Sequence, residues 1–116
     1  MPRFTILTHD HPFPHWDLLL EQGESLRTWR LLDVPDSSGE IAAEPLPDHR
    51  LMYLDYEGPV SGGRGDVARW DTGEYVTIRE TTERLDLQLS GKRLTGRFVL
   101  EHSAESSTWQ FYSASE

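Results

Sequence analysis

Apolar and polar residues alternate along most of this chain, and a period of two residues indicates β-strands. The segment 15–21 shows this most clearly, because one of its faces is apolar and the other is mostly polar. The apolar face consists of Trp16, Leu18 and Leu20, and the opposite face of His15, Asp17, Leu19 and Glu21. No long stretch has the periodicity of a helix. The pattern therefore predicts an all-β protein.

Turn-forming residues divide the chain into nine short segments, which predicts a sheet of about eight strands. The predicted strands are 3–8, 15–21, 26–31, 51–56, 67–70, 75–79, 85–89, 94–100 and 109–111. Residues 33–48 contain three prolines, two serines and a glycine, and they predict a loop, as do the glycine-dense residues 57–65. Residues 22–25 predict a hairpin turn that pairs the strands 15–21 and 26–31, and residues 71–73 predict a second hairpin turn. Many short strands joined by turns favour a β-barrel or a β-sandwich.

Length, cysteine content and charge restrict the classes of protein that fit. The 116 residues suit a single domain, expected to span residues 1–116. There is no cysteine, which excludes disulfides and thiolate metal ligands. The charged N-terminus, without a long apolar run, predicts no signal peptide, no membrane span and a cytoplasmic location. A net charge of −9 argues against broad nonspecific binding of nucleic acid, although it is compatible with a local site for one phosphate.

Histidines are concentrated near the N-terminus at positions 9, 11 and 15. His15 and Asp17 are two residues apart, so on a strand both point to one face, which we expect to look into a polar groove or solvent. His9 ends the preceding predicted strand, and a short proline-bearing loop can return it beside His15. Two histidines and one carboxylate suit Mn²⁺, Zn²⁺ or Fe²⁺. The alternative is a surface histidine cluster without a ligand.

The sequence also suggests roles for other residues near this cluster. Asp10 is expected to form a turn or to support a metal ligand. His11 is expected to be exposed, with a third metal ligand or a phosphate contact as alternatives. His49 and Tyr53 could both reach a substrate. From their spacing alone, however, the better interpretation is that His49 is an ordinary loop histidine and that Tyr53 is an ordinary core or edge tyrosine. Arg64 lies in a glycine-rich turn that lacks the phosphate-loop pattern, and its side chain could still contact a phosphate.

Several motifs in a fixed order resemble the 3′-phosphoesterase domain of bacterial DNA ligase D. The metal motif of that family has two histidines six residues apart, an aspartate two residues further on and a glutamate four residues later, as in His9, His15, Asp17 and Glu21. Further matching segments are 26–29, 48–58, 63–67, 70–73 and 90–96. The resemblance implies a compact, closed or nearly closed β-barrel of about eight mostly antiparallel strands. It also implies a Mn²⁺-dependent activity, with Zn²⁺ as an alternative, that removes 3′-ribonucleotides or 3′-phosphates.

The resemblance also implies roles for individual residues. The metal ligands would be His9, His15 and Asp17, and the scissile phosphate would be contacted by His49 and Tyr53. His49 is the better candidate for proton transfer, because an unperturbed imidazole titrates near neutral pH. The expected partners are a nucleic-acid 3′ end and a ligase or polymerase acting in trans, and the chain is expected to be a monomer.

Three positions depart from the family pattern. Leu7 replaces a glutamine, Leu19 replaces an arginine, and Asp33 lies near the place of a lysine. Two cationic phosphate contacts are therefore missing, and each is typically worth a few kcal/mol. The residues that could replace them are Arg30, Arg50 and Arg64, of which Arg50 is best placed in the sequence; His11 is a further candidate for substrate binding.

These departures keep two other functions open. The first is a catalytically impaired relative that binds a nucleic-acid end or a partner protein, which the residues Leu19 and Asp33 favour. The second is a different metalloenzyme on a β-barrel, such as a cupin-like oxygenase. The glycine and histidine spacing fits a cupin poorly, so this alternative ranks last.

Overall fold

The structure is a computed structural model, and it describes residues 1–114. Its strands are β1 (Arg3–His9), β2 (His15–Gln22), β3 (Ser25–Leu31), β4 (Ile41–Arg50), β5 (Gly58–Pro59), β6 (Asp66–Glu80), β7 (Arg84–Gly91), β8 (Thr95–Glu101) and β9 (Trp109–Ser113). One 3₁₀ helix, Leu51–Leu54, follows β4. None of the helical structure in residues 1–114 is long and apolar enough to cross a membrane.

Eight of these strands form a closed antiparallel barrel in the order β1-β2-β3-β4-β9-β8-β7-β6, and pairing of β6 with β1 closes it. The two-residue strand β5 is added beside the start of β6. The predicted all-β barrel is confirmed. The predicted pairing of β2 with β3 is confirmed as well, with a turn at residues 23 and 24. That turn places Asp17 directly opposite Arg30.

Two separate apolar clusters lie on the two sides of the barrel wall. The large inner cluster fills the barrel and includes Phe4, Leu18, Leu20, Trp29 and Phe111. The smaller outer apolar cluster consists of Leu7, Leu19, Leu26, Leu54 and Val67. It lies between the outer surface of β1–β3 and the 3₁₀ helix. The strands of this wall are therefore buried on both faces, which is unusual for an antiparallel barrel in water.

The segment after β4 covers this outer cluster, and we call residues 51–65 the roof. Leu54 inserts into the outer apolar cluster. The buried hydroxyl Oγ1 of Thr5 donates a hydrogen bond of 2.8 Å to the carbonyl oxygen of Leu54. The far end of the roof passes close to Asp10 at Gly65, where a Cβ would lie 2.1 Å from Oδ1 of Asp10, and the same oxygen accepts a hydrogen bond from the backbone N–H of the next residue, Asp66. The roof is thus fixed at both ends to the β1 region.

The structure corrects three predictions about local structure, and the first concerns residues 33–48. The second half of the predicted loop belongs to the ten-residue strand β4. Pro45 and Pro47 are compatible with this strand because β4 pairs with β9 only through residues 41–43. Beyond Ala43 it pairs with β3 alone, so a proline on the open edge breaks no ladder hydrogen bond.

The second and third corrections concern residues 51–56 and 67–79. The predicted strand 51–56 is the 3₁₀ helix, in which only Leu54 is buried. The predicted hairpin is one continuous strand, β6. Asp71 does not form its turn, because its carboxylate accepts backbone hydrogen bonds from Lys92, Arg93 and Leu94. Gly73 allows the close approach of β7 there, since a Cβ would lie 2.1 Å from the carbonyl oxygen of Ser90.

Candidate metal centre and cavity

A cavity of about 460 Å³ lies between the barrel wall and the roof. Its walls come from β1, β2, β3, the end of β4, the 3₁₀ helix and the roof segment after it. All eight residues that the sequence singled out for the site line this cavity: His9, His11, His15, Asp17, His49, Arg50, Tyr53 and Arg64. The structure therefore brings together residues up to 55 positions apart in the sequence.

Three of these residues form a compact group on the barrel wall. One potential ligand atom from each of His9, His15 and Asp17 lies within 4.8 Å of the other two. Nδ1 of His9 is 3.2 Å from Oδ2 of Asp17, and Nε2 of His15 is 3.0 Å from Oδ1. The register explains this proximity, because His9 pairs with His15 across the β1–β2 ladder. Side chains of residues directly opposite each other project from the same face of a sheet.

Backbone carbonyls orient both imidazole rings. Nε2 of His9 lies 2.9 Å from the carbonyl oxygen of Arg64, and Nδ1 of His15 lies 2.8 Å from that of Phe13. A carbonyl can only accept, so these two nitrogens carry the hydrogens when the rings are neutral. The other nitrogen of each ring then presents its lone pair towards Asp17. Metal-binding histidines are commonly fixed in this way.

The buried atoms of the group fit a cation. Nε2 of His15 and Oδ1 of Asp17 are buried and have no hydrogen-bond partner among the described residues. Buried polar atoms without partners are costly, and a metal ion coordinated by both would satisfy them. Distances near 3 Å between the atoms agree with neighbouring ligands of one ion, since metal bonds to such atoms are about 2.0–2.2 Å long. His9, His15 and Asp17 therefore could hold a divalent metal.

This face of β2 is more buried than the sequence predicted. His15 and Asp17 are each only 2% exposed, although a polar groove or solvent was expected. The roof and the loop before β2 cover them, and Leu19 further along the face belongs to the outer apolar cluster. Leu7 belongs to the same cluster. Leu7 and Leu19, the residues at two of the positions that depart from the family pattern, thus belong to one apolar cluster beside the His9–His15–Asp17 group.

His49 and Tyr53 lie on another wall of the cavity. Their ring centroids are 6.1 Å apart. Nδ1 of His49 lies 3.1 Å from the carbonyl oxygen of Pro47, which leaves Nε2 as the nitrogen available to a ligand. Tyr53 also packs against Tyr56, with ring centroids 5.6 Å apart. His49 and Tyr53 are both partly exposed, so a ligand in the cavity can reach their rings.

The remaining predicted residues lie at the rim. His11 is exposed, as expected, and its ring centroid is 6.5 Å from that of His9. Arg50 is exposed as well. The side chain of Arg64 bends back onto its own loop, because Nε donates to the carbonyl oxygen of Ser61 at 2.7 Å. Its backbone carbonyl orients His9, and this contribution could not be read from residue type.

Two further residues were undervalued by sequence reasoning. Asp10 anchors the roof, since Oδ1 accepts a hydrogen bond of 2.8 Å from the backbone N–H of Asp66. Arg30 lines the cavity directly across the ladder from Asp17. A signal for Arg30 was present, because the predicted hairpin turn at residues 22–25 already pairs residue 21 with residue 26 and residue 17 with residue 30.

Comparisons with known proteins agree with the resemblance. A model of the DNA Ligase D 3′-phosphoesterase domain matches residues 7–102. The chain is 32% identical over 108 residues to the multifunctional non-homologous end joining protein LigD of Pseudomonas aeruginosa, covering 84% of this chain and 13% of that protein. The chain is also 32% identical over 106 residues to the multifunctional non-homologous end joining DNA repair protein LigD of Mycobacterium tuberculosis, and this match covers 84% of this chain and 14% of that protein.

A third relative, the LigD protein of Mycolicibacterium smegmatis, is 29% identical over 114 residues, which is 84% of this chain and 15% of that protein. The chain thus spans only about a seventh of the length of these relatives. The family model nevertheless covers most of the chain, from the strand that carries His9 to the end of β8. The chain belongs to the family of DNA ligase D 3′-phosphoesterase domains.

Proposed function

We propose that this chain is a metal-dependent phosphoesterase that acts on nucleic-acid 3′ ends in DNA repair, where it removes a 3′-ribonucleotide or a 3′-phosphate. The observation that carries the proposal is one cavity that holds the His9–His15–Asp17 group together with His49 and Tyr53. Membership of the 3′-phosphoesterase family supports the substrate class.

Each residue has a distinct task in this proposal. A divalent ion held by His9, His15 and Asp17 would polarise a phosphoryl oxygen and activate a water or the adjacent 2′-hydroxyl. His49 transfers a proton through Nε2, because its other nitrogen is engaged by the carbonyl of Pro47. Tyr53 donates a hydrogen bond to a phosphate oxygen. The roof limits access of water to the buried side of the cavity.

The identity of the metal and the setting of the protein are finer parts of the same proposal. Mn²⁺ is the first choice and Zn²⁺ the second, since two imidazoles and one carboxylate suit both. A monomer that works in the cytoplasm beside a ligase or polymerase in trans stays a prediction. So does the single domain over residues 1–116, of which residues 115 and 116 lie outside the described range.

The test is a 3′-end trimming assay. DNA primers with a labelled 5′ end and either a 3′-ribonucleotide or a 3′-phosphate are incubated with the purified protein, with and without Mn²⁺. We expect trimming that requires the metal and is lost in His9→Ala. The matched control is His102→Ala, because His102 lies at the end of β8 and does not line the cavity. Unchanged primers with metal-loaded wild type would contradict the proposal.

A catalytically impaired relative that only binds 3′ ends is the second candidate. Leu19 favours it, because this residue is fully buried in the outer apolar cluster and presents no positive charge to the cavity. The same primers distinguish the two candidates. Binding of a 3′-phosphorylated primer without turnover would support the binding module, whereas metal-dependent trimming would exclude it.

A further inference from the structure

Three arginines line the cavity, and they differ in how their side chains are held. Arg50 is exposed, and Arg64 is tied to its own loop through Ser61. Arg30 instead extends from β3 on the face that carries Asp17, because the two residues are direct partners in the β2–β3 ladder. Of the three arginines, Arg30 is therefore the one that the strand register places opposite a member of the candidate metal group.

The contacts of Arg30 fix the guanidinium without using all of its donors. Its Cζ lies 5.4 Å from the centroid of the Phe13 ring, as in a cation–π contact. Nη1 is 3.5 Å from Oε1 of Glu44, which is long for a hydrogen bond. Because the Glu44 side chain is 51% exposed, water competes for that ion pair and weakens it.

One donor of Arg30 lacks a hydrogen-bond acceptor among residues 1–114. Its Nε is buried and has no hydrogen-bond partner among the described residues. A guanidinium has five N–H donors in a planar fork, which matches two oxygens of a phosphate. A buried donor without a partner is costly, and a shift of the Arg30 side chain that brought Nε into contact with an anion in the cavity would remove that cost.

We propose that Arg30 is the phosphate-binding cation of this site and that it grips the 3′-terminal phosphate of the substrate. This proposal rests on the proposed function, and it names the residue that supplies the charge missing at position 19. Leu19 pairs with Thr28 on the neighbouring strand β3. Arg30 follows Thr28 by two residues on that strand, so it lies on the same face as Leu19. Sequence spacing favoured Arg50 for this task, and the structure favours Arg30.

The experiment compares Arg30→Gln with a closely matched control, Arg27→Gln. Arg27 lies on the same strand, forms an ion pair of 2.9 Å with Glu80 and lies over an aromatic ring, that of Trp29. Its side chain is 27% exposed, against 22% for Arg30, but it does not line the cavity. Equilibrium binding is measured for one DNA oligonucleotide with a 3′-phosphate and for the same oligonucleotide with a 3′-hydroxyl, in Mn²⁺ and in chelator.

We expect wild type and Arg27→Gln to prefer the 3′-phosphate, and Arg30→Gln to lose that preference by about tenfold or more. Arg30→Lys should retain part of it, because lysine keeps the charge but not the fork. In trimming assays the loss should appear mainly as a raised KM. Circular dichroism and thermal unfolding of each variant show that it is folded before binding is compared.

Every outcome decides the proposal. An Arg30→Gln variant that keeps the wild-type preference overturns the role of Arg30, while trimming by wild type would still uphold the proposed function. A preference that depends on Arg30 in a protein that never trims upholds the role of Arg30 and rejects the phosphoesterase. A wild-type protein that ignores the 3′-phosphate overturns the role of Arg30, and trimming of the 3′-ribonucleotide primer then decides the phosphoesterase separately.

Discussion

The two faces of strand β2 have the same backbone and different tasks. The inner face packs Leu18 and Leu20 into the barrel through apolar contacts. The outer face carries His15 and Asp17, which are as deeply buried, and Nε2 of His15 and Oδ1 of Asp17 have no hydrogen-bond partner within residues 1–114. Equal burial thus has opposite meanings on the two faces. On the inner face it stabilises the fold, and on the outer face it prepares a place for a ligand.

The outer face can be buried only because of the roof. Residues 51–65 come from a distant part of the chain and are attached to β1 through Thr5 and Asp10. The inner face depends on the closed barrel and the outer face depends on the roof. Substitutions on the two faces should therefore separate stability from function.

The largest effect is expected for Asp17→Asn on the outer face. The amide offers one neutral oxygen in place of two charged ones, so Mn²⁺ affinity and trimming should each fall by about 100-fold or more. The free energy of unfolding without metal should change little, since Oδ1 of Asp17 has no hydrogen-bond partner among the described residues, and the amide N–H that replaces Oδ2 can donate to Nδ1 of His9, which lies 3.2 Å away. Calorimetric titration with Mn²⁺ measures the affinity. Tight Mn²⁺ binding by this variant would remove Asp17 from the ligand set.

Leu18→Ala on the inner face should have the opposite signature. Leu18 is fully buried in the inner cluster, and such truncations typically cost about 2–5 kcal/mol. The folded fraction should still bind Mn²⁺ like wild type, because the removed methyl groups face away from the cavity. Urea unfolding gives the stability. A loss of metal affinity equal to that of Asp17→Asn would show that the two faces are not independent.

The barrel and the core of the metal group could be predicted from the sequence, because both follow from local spacing. Alternation places Leu18 in the barrel, and the spacing of His9, His15 and Asp17 places three potential ligands at one end of a hairpin. The pairing of Asp17 with Arg30 was also available from the predicted hairpin turn at residues 22–25. Each of these inferences needs only the geometry of neighbouring strands.

The roof could not be predicted, because it depends on contacts between distant residues. The hydrogen bond from Thr5 to Leu54 joins residues 49 positions apart, and it cannot be predicted from the types of these two residues. The prolines of residues 41–50 made this segment look like a loop. Strand β4 can contain Pro45 only because its pairing with β9 ends at Ala43. The carboxylate of Asp71 similarly accepts a hydrogen bond from the backbone of the turn between β7 and β8. Because Asp71 makes this contact within strand β6, it does not form the expected turn. Tertiary contacts decided all three.

The smallest effect is expected at Asp86, a second buried aspartate that sharpens the comparison with Asp17. Both of its carboxylate oxygens are occupied, since Nε of Arg84 is 2.6 Å from Oδ1 and Nη2 of Arg97 is 3.0 Å from Oδ2. The hydrogen bond from Arg84 is the main cause that holds the pKa of Asp86 below its usual value. Asp86 thus serves a structural ion pair, whereas Asp17 has an oxygen to offer.

Asp86→Asn should lower the free energy of unfolding by about 1 kcal/mol at neutral pH, because partly exposed arginines make weak pairs. The pKa of the folded carboxyl is depressed, so its stabilisation is complete above the unfolded value of about 3.9 and is lost as the pH falls below it. The difference between wild type and variant, measured by urea unfolding, should therefore shrink between pH 6 and about pH 3. Mn²⁺ binding should be unchanged. If Asp86→Asn weakened Mn²⁺ binding as Asp17→Asn does, burial alone rather than the unpaired oxygen would be the feature that matters.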